Sequence, residues 1–225
     1  MNRWRDYLTT LILAVLCALF VRSFLVTAYK VPTGSMQPTL KPGDFIFATR
    51  FSYGLSIPFA NKKWEATVPD RGDLVVFTYP NQPGVTYVKR VVGLPGDKVQ
   101  ITQGRLILND QAMEYEKDSN PSKDNPNPEL FDIFTENLGE DQWRVIFQKQ
   151  PEIKDFGPLV VPPGEVFLLG DNRDASDDSR YWGTVPMSQV VGKVVFIWLS
   201  LDWQKKWGAD RYPSVRWERV FSRVY

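Results

Sequence analysis

Apolar positions follow two different rhythms along this chain. From Tyr7 to Tyr29 they form a nearly continuous run of 23 residues in which Arg22 is the only charge. As a helix, at ~1.5 Å per residue, this run would reach about 34 Å. That length spans a hydrocarbon core of ~30 Å with some tilt. From Lys41 onward the apolar residues come in short bursts rich in β-branched and aromatic types: Asp44–Ala48, Asp73–Phe77, Val85–Val92, Arg105–Leu108, Glu165–Leu169 and Gly192–Trp198. Bursts of this kind predict strands, and Gly43-Asp44, Gly72-Asp73 and Gly96-Asp97 read as turns beside them. The expected fold is mostly β: an antiparallel β core carrying a smaller inserted β subdomain, preceded by one N-terminal transmembrane helix.

Residues 1–6 would form a cytoplasmic N-terminus and residues 7–29 the anchor. Arg3 and Arg5 favour an N-terminus held inside, which puts residue 30 onward on the extracytoplasmic side; Arg22 and Lys30 weaken that asymmetry. Near the end of the span Arg22 can snorkel to the headgroups. A cleaved signal peptide is the rival reading. The apolar stretch is long for one, and Val26-Thr27-Ala28 is a poor small-x-small cleavage site.

Charge divides the remainder. Residues 110–155 hold 12 Asp/Glu against 5 Lys/Arg, a net of −7, in a chain whose total is +1. An acidic inserted subdomain is therefore expected over residues 110–160, with the main β core assembled from residues 30–109 and 161–225 and an extended hairpin or loop over 49–70. The proline-rich polar stretch 118–128 reads as a loop. Met113–Tyr115 and Trp143–Phe147 could pair as strands of the insert. Its acid excess reads as a solvated face. At the other end, Trp198, Trp203, Trp207 and Trp217 lie among Lys and Arg. Such a surface either rests on a phospholipid bilayer, with Trp203 and Trp207 in contact, or packs as the edge of a core. A net charge of +1 gives no global field for nucleic acid.

Two absences narrow the chemistry. The chain has no histidine, which excludes Ser-His-Asp and Cys-His catalysis and HExxH zinc sites. Its one cysteine, Cys17, lies in the apolar run, so an intramolecular disulfide or a cysteine metal cluster is ruled out. Any general base must be Lys, Asp, Glu or Tyr. Ser35 sits in Val31-Pro32-Thr33-Gly34-Ser35-Met36-Gln37-Pro38-Thr39-Leu40, where flanking Pro and Gly can hold a hydroxyl on a stiff turn. Lys89 lies in Tyr87–Asp97. Strand alternation puts Tyr87, Lys89 and Val91 on one face, with Val88 and Arg90 on the other. A lysine on an apolar face loses solvation of its ammonium form, which lowers its pKa towards the range where the neutral amine can accept a proton. A third stretch, Gly170–Gly183, follows an apolar strand with many polar residues and suggests a hydrogen-bonded scaffold. A calcium-like loop is a competing reading, opposed by Arg173 and Arg180.

Together these stretches resemble the bacterial type I signal peptidase (leader peptidase) family of Ser/Lys serine proteases. The resemblance is carried by Ser35-Met36-x-Pro38-Thr39-Leu40, by Gly43-Asp44 and Arg71–Phe77, by Tyr87–Asp97, and by Gly170-Asp-Asn-Arg with Ser176, Asp178, Ser179 and Arg180, in the family's order. It implies that Ser35 attacks the scissile carbonyl and that Lys89 is the general base. The Ser35 N–H and the Thr33 hydroxyl would form the oxyanion hole; many relatives have Ser where this chain has Thr33. Ser176 would orient Lys89, with Asp178 and Arg180 bracing the site. The substrates would be preprotein signal peptides cut after small residues at −1 and −3. Shallow pockets for them would be lined by Tyr29, Val31, Met36, Leu40, Ile46, Tyr87 and Val88, with Leu40 and Ile46 also readable as core. The substrate would add as a strand to a sheet edge. No metal or cofactor is implied. The expected enzyme is a single-pass serine endopeptidase on the outer side of the cytoplasmic membrane. Other Ser/Lys peptidases, such as a pilin-type processing enzyme or a self-cleaving repressor type, remain rivals. So does a catalytically dead β module that binds exported peptides.

Overall fold

The computed structural model describes residues 4, 7–15, 26–49, 51–53, 55–56, 63–64, 67–119, 124–139, 141–152, 154–207 and 212–224. A helix, α1, covers residues 7–15. Strands follow in the order β1 (Val26–Lys30), β2 (Asp44–Thr49), β3 (Leu55–Ser56), β4 (Lys63–Trp64), β5 (Leu74–Thr78), β6 (Thr86–Gly93), β7 (Lys98–Thr102), β8 (Arg105–Leu108) and β9 (Gln111–Ala112). They continue with β10 (Glu114–Lys117), β11 (Phe131–Leu138), β12 (Asp141–Gln148), β13 (Phe156–Val160) and β14 (Glu165–Leu169). After the short helix α2 (Ser179–Trp182) come β15 (Val185–Pro186), β16 (Val190–Trp207), β17 (Tyr212–Val215) and β18 (Ser222–Arg223). The mostly β expectation holds.

The largest sheet runs β1-β2-β16-β5-β6-β14-β15, with β17 and β18 added along β16. Its pairings are antiparallel, and β16, 18 residues long, acts as the seam by pairing β2, β5, β17 and β18 along different parts of its length. Two smaller sheets occupy residues 98–160: β13-β7-β8-β9 and β10-β11-β12. Val92, Phe167 and Leu169 of the large sheet share one buried cluster with Val99, Leu106, Val145 and Phe147, so these sheets meet through apolar side chains. Between β2 and β5, β3 and β4 pair as a small hairpin.

The expected anchor needs one correction. Val26–Tyr29 belongs to a strand, not a helix: β1 pairs residue for residue with β2, from Val26↔Thr49 to Lys30↔Phe45. Val26, Thr27 and Tyr29 favour extended backbone, and the row of N–H and C=O groups along β2 gives β1 hydrogen-bond partners that a membrane helix would have to find within itself. Among the described residues no helix is long and apolar enough to cross a membrane. The rest of the expected span, residues 16–25, and the flanking Arg3 and Arg5 lie outside the described residues.

Trp198 packs into the sheet against Phe45 and Phe47. Trp203 and Trp217 are exposed, with the Lys30 ammonium 5.5 Å from the Trp203 ring. Trp207 ends β16.

Candidate active site

Ser35 lies in the loop from β1 to β2, at the start of a turn closed by Gln37 N–H to Gly34 O and Leu40 N–H to Met36 O. Met36 and Leu40 point into the core and are essentially fully buried, which ties the turn to the sheet and leaves Ser35 half-buried at its surface. The segment after β14 clamps the same turn from outside. Asn172 N–H donates to Ser35 O at 3.0 Å, and its side-chain Nδ2 donates to Gly34 O at 3.1 Å. Gly170 makes that approach sterically feasible, since a Cβ there would stand 2.1 Å from Ser176 Oγ and 2.6 Å from Ser35 O. The Thr33 hydroxyl lies 3.4 Å from Ser35 Oγ.

Lys89 sits in β6, opposite Val75 of β5. Its side chain is only 2% exposed, and its Nζ donates to Ser176 Oγ at 2.8 Å. Among the described residues no carboxylate lies within ion-pair distance of it. Burial pushes the Lys89 ammonium down to about 8; Asp178 and Asp177 pull it back up and Arg180 lowers it further, but burial dominates. The β6 alternation is as expected: Tyr87 and Val91 share one apolar cluster while Val88 joins another. The strand is nonetheless covered on both faces from Lys89 onward.

A cavity of about 430 Å³ opens between the β1–β2 loop and the first half of β6. It is lined by Ser35, Lys89 and Thr33, by the apolar Tyr29, Val31, Met36, Tyr87 and Val88, and by Asn172. Leu40 and Ile46 are not in that lining. Both are fully buried in the cluster that holds Val31 and Met36, so they support its floor. The edge of β6 that β14 covers at Arg90, Val91 and Gly93 carries no strand partner over Thr86–Lys89 among the described residues.

Asp178 and Arg180 meet behind the cavity. Asp178 caps α2, accepts from Gly170 N–H at 3.0 Å, and takes Nε and Nη2 of Arg180 at 2.8 and 2.9 Å. Arg180 also donates to Arg173 O at 2.6 Å. These contacts fix the loop carrying Ser176.

Three participants escaped sequence reasoning as individuals, although all lie in stretches already singled out. Asn172 clamps the Ser35 turn. Asp171 and Arg90 form a buried two-pronged ion pair at 2.8 and 2.7 Å, through which β6 grips the segment after β14. Arg90 also donates to Gly72 O at 2.6 Å. The available signal was a run of polar residues starting at the very end of an apolar strand, where solvent is absent and every polar group must have a partner.

A serine on a stiff turn and a desolvated lysine face one apolar cleft on a β scaffold, an arrangement suited to a serine peptidase that has no histidine. Sequence comparison makes the assignment specific. A family model described as signal peptidase, peptidase S26, matches residues 4–199. A signal peptidase I of Pseudomonas fluorescens is 42% identical over 81% of this chain and 68% of its own length. One from Rickettsia typhi is 34% identical over 94% of this chain and 90% of its own. A solved signal peptidase I from Enterococcus faecalis superposes with a TM-score of 0.36, at 29% identity over 56% of this chain and 95% of that one; the family assignment rests on the sequence matches. The chain belongs to the signal peptidase I, peptidase S26 family, and is a serine endopeptidase.

Proposed function

We propose that this chain removes N-terminal signal peptides from exported preproteins, cutting after small residues at −1 and −3, with Ser35 as nucleophile and Lys89 as general base. The observation that carries this reading is the buried Lys89. It is hydrogen-bonded to a neutral hydroxyl, has its pKa lowered by burial, and lines the same cavity as Ser35. A neutral amine takes the Ser35 proton as Oγ attacks the scissile carbonyl, then returns it to the leaving amine, and water hydrolyses the acyl-enzyme by the same relay. The Ser35 N–H and the Thr33 hydroxyl stabilise the oxyanion. Ser176 orients the amine, and Asp178 with Arg180 braces the Ser176 loop. The preprotein lies extended against the free edge of β6 over Thr86–Lys89. Tyr29, Val31, Met36, Tyr87 and Val88 offer apolar surface for small side chains, with Leu40 and Ile46 beneath.

The enzyme is read as a single-pass protein with its N-terminus in the cytoplasm and its catalytic core, residues 30–97 and 161–225, outside. With it lie the smaller sheets over 98–160, which take in β7 and β8 beyond the expected 110–160 insert. The apolar run that precedes Val26 would supply the anchor. Exposed Trp203 and Trp217 favour contact between the catalytic core and the bilayer. Replacing both by Ser should weaken liposome partitioning of a fragment that starts at Val26, and unchanged partitioning would argue for packing instead.

The deciding experiment is cleavage of a purified preprotein, with products mapped by mass, by wild type, Ser35→Ala and Lys89→Ala. Cutting after a small-x-small site by the wild type alone supports the reading. An active Lys89→Ala enzyme would require a different base.

A further inference from the structure

The smaller sheets over residues 98–160 contain a buried charge that solvation cannot explain. Glu136, on β11, is 0% exposed. Its two carboxylate oxygens accept from both Nη atoms of Arg173, from the Tyr115 hydroxyl, and from Trp143 Nε1 at 2.6 Å. Burial alone would lower the Arg173 guanidinium's pKa, and Glu136 more than reverses this. Arg173 follows Asn172, the residue that clamps Ser35 O and Gly34 O.

The backbone repeats the same connection. Ile146 of β12 donates its N–H to Asp171 O at 2.9 Å and accepts from Arg173 N–H at 3.1 Å. Asn172 is therefore flanked on both sides by residues fastened to β12, while the Arg173 side chain is locked by β11. A charge-assisted two-pronged contact fixes both position and angle of its partner.

We propose that Glu136 is a positioning residue for the peptidase reaction, holding Arg173 and so Asn172 in the place that sets the Ser35 turn. Residues 98–160 thereby take part in catalysis, as the outer wall against which the nucleophile loop is registered. The proposal rests on Ser35 being the nucleophile. A displaced Asn172 would let the Ser35 N–H and Oγ drift relative to the bound carbonyl, and misplacement of ~1 Å costs on the order of 100-fold in rate. The link reaches the Ser176 loop only through Arg173 O, which Arg180 grips, and neither Glu136 nor Arg173 is among the groups that set the Lys89 pKa. Substrate affinity and the titration of the base should therefore stay close to wild type.

The test is steady-state cleavage of a signal-peptide substrate across pH by the full-length chain in detergent, comparing wild type, Glu136→Gln, Asn172→Ala and the double variant well below their melting points. For Glu136→Gln, kcat should fall about 10- to 100-fold with KM within about twofold, and the acid limb of the pH profile should stay at its wild-type position. The double variant should lose little more than Asn172→Ala alone, because both substitutions act through one connection. Should Glu136→Gln fold poorly, Tyr115→Phe removes one donor and leaves the ion pair. It should lower kcat a few-fold, again with KM and the acid limb unmoved. Unchanged kcat in a variant with a lowered melting point would overturn the proposal, as would single losses that multiply in the double variant. Failure of the peptidase reading itself would appear earlier, as a wild-type enzyme that does not cleave.

Discussion

Lys89 and Arg90 are neighbours on β6, both nearly inaccessible to solvent, and the protein treats their charges in opposite ways. Arg90 meets the Asp171 carboxylate with two donors and gives a third to Gly72 O. Its charge is fully matched, and it joins the segment after β14 to the large sheet. Lys89, turned to the other face, meets the hydroxyl of Ser176 and no carboxylate within ion-pair distance among the described residues. A buried cation with a matched anion is a structural tie, whereas one left unmatched is pushed towards neutrality and becomes available as a base. Strand alternation alone separates the two roles.

The comparison is broken most directly by removing the unmatched charge. Lys89→Met keeps the length of the side chain and eliminates the amine. Cleavage should fall about 10²–10⁴-fold, the range for loss of a general base. Stability at pH 7 should rise nevertheless, because an uncompensated buried ammonium is replaced by an apolar group of similar volume. A preprotein cleavage assay and a chemical denaturation curve on the same sample check both halves. A loss of stability together with activity would mean that Lys89 is a structural tie like Arg90.

The matched partner should respond in the reverse sense. Arg90→Met leaves Asp171 buried without its cation and should destabilise by about 3–5 kcal/mol. Pairing it with Asp171→Asn should recover part of that loss, because the stranded charge is gone. If the single variant unfolds at the wild-type denaturant concentration, the pair contributes nothing and the contrast with Lys89 collapses.

Proton linkage separates the two neighbours more finely. The folded pKa of Lys89 is lowered to about 8 from an ordinary value near 10.5, so between those pH values the unfolded chain binds more protons than the folded one. Stability contributed by this group therefore rises as pH increases from about 8 to about 10.5. At ~1.36 kcal/mol per pH unit, its full span is on the order of 3 kcal/mol. The rise should be absent in Lys89→Met when denaturation is followed across that window. With Lys89 as the proposed base, kcat/KM should climb about tenfold per pH unit below about 8 and level off above it. An acid limb far below that range would assign the base elsewhere.

Much of this contrast is legible in the amino-acid order. The absence of histidine forces attention onto lysine, and period-two alternation places Lys89 and Arg90 on opposite faces of one strand. Ser35, bracketed by Pro and Gly, reads as an exposed hydroxyl on a stiff turn. The rest depends on contacts far apart in the chain. Nothing local indicates that Arg90 meets Asp171, which lies 81 residues away, or that Leu40 and Ile46 sit under the cavity floor and not in its wall. The acid excess of the insert suggests a solvated face, yet Glu136 is fully buried, because composition averages over residues and burial does not. At Val26–Tyr29 a continuous apolar run conceals the start of an edge strand. Hydropathy reports transfer from water, not whether an apolar stretch finds lipid or a neighbouring strand.

The smallest expected effect concerns the one polar contact that Lys89 does have. As acceptor from Nζ, Ser176 stabilises the ammonium more than the neutral amine, because a charged donor makes the stronger hydrogen bond. Ser176→Ala should therefore lower the Lys89 pKa further and move the acid limb of kcat/KM to lower pH. At high pH, where the amine is already neutral, the loss of orientation should remain. A neutral hydrogen bond contributes about 0.5–1.5 kcal/mol, so the plateau should drop by roughly tenfold or less. Orientation and desolvation thus act on different parts of one pH profile, and a single titration series on Ser176→Ala distinguishes them. An acid limb that moved to higher pH would show that Ser176 favours the neutral amine. The lowered Lys89 pKa would then owe part of its shift to Ser176, and not to burial without a matching anion alone.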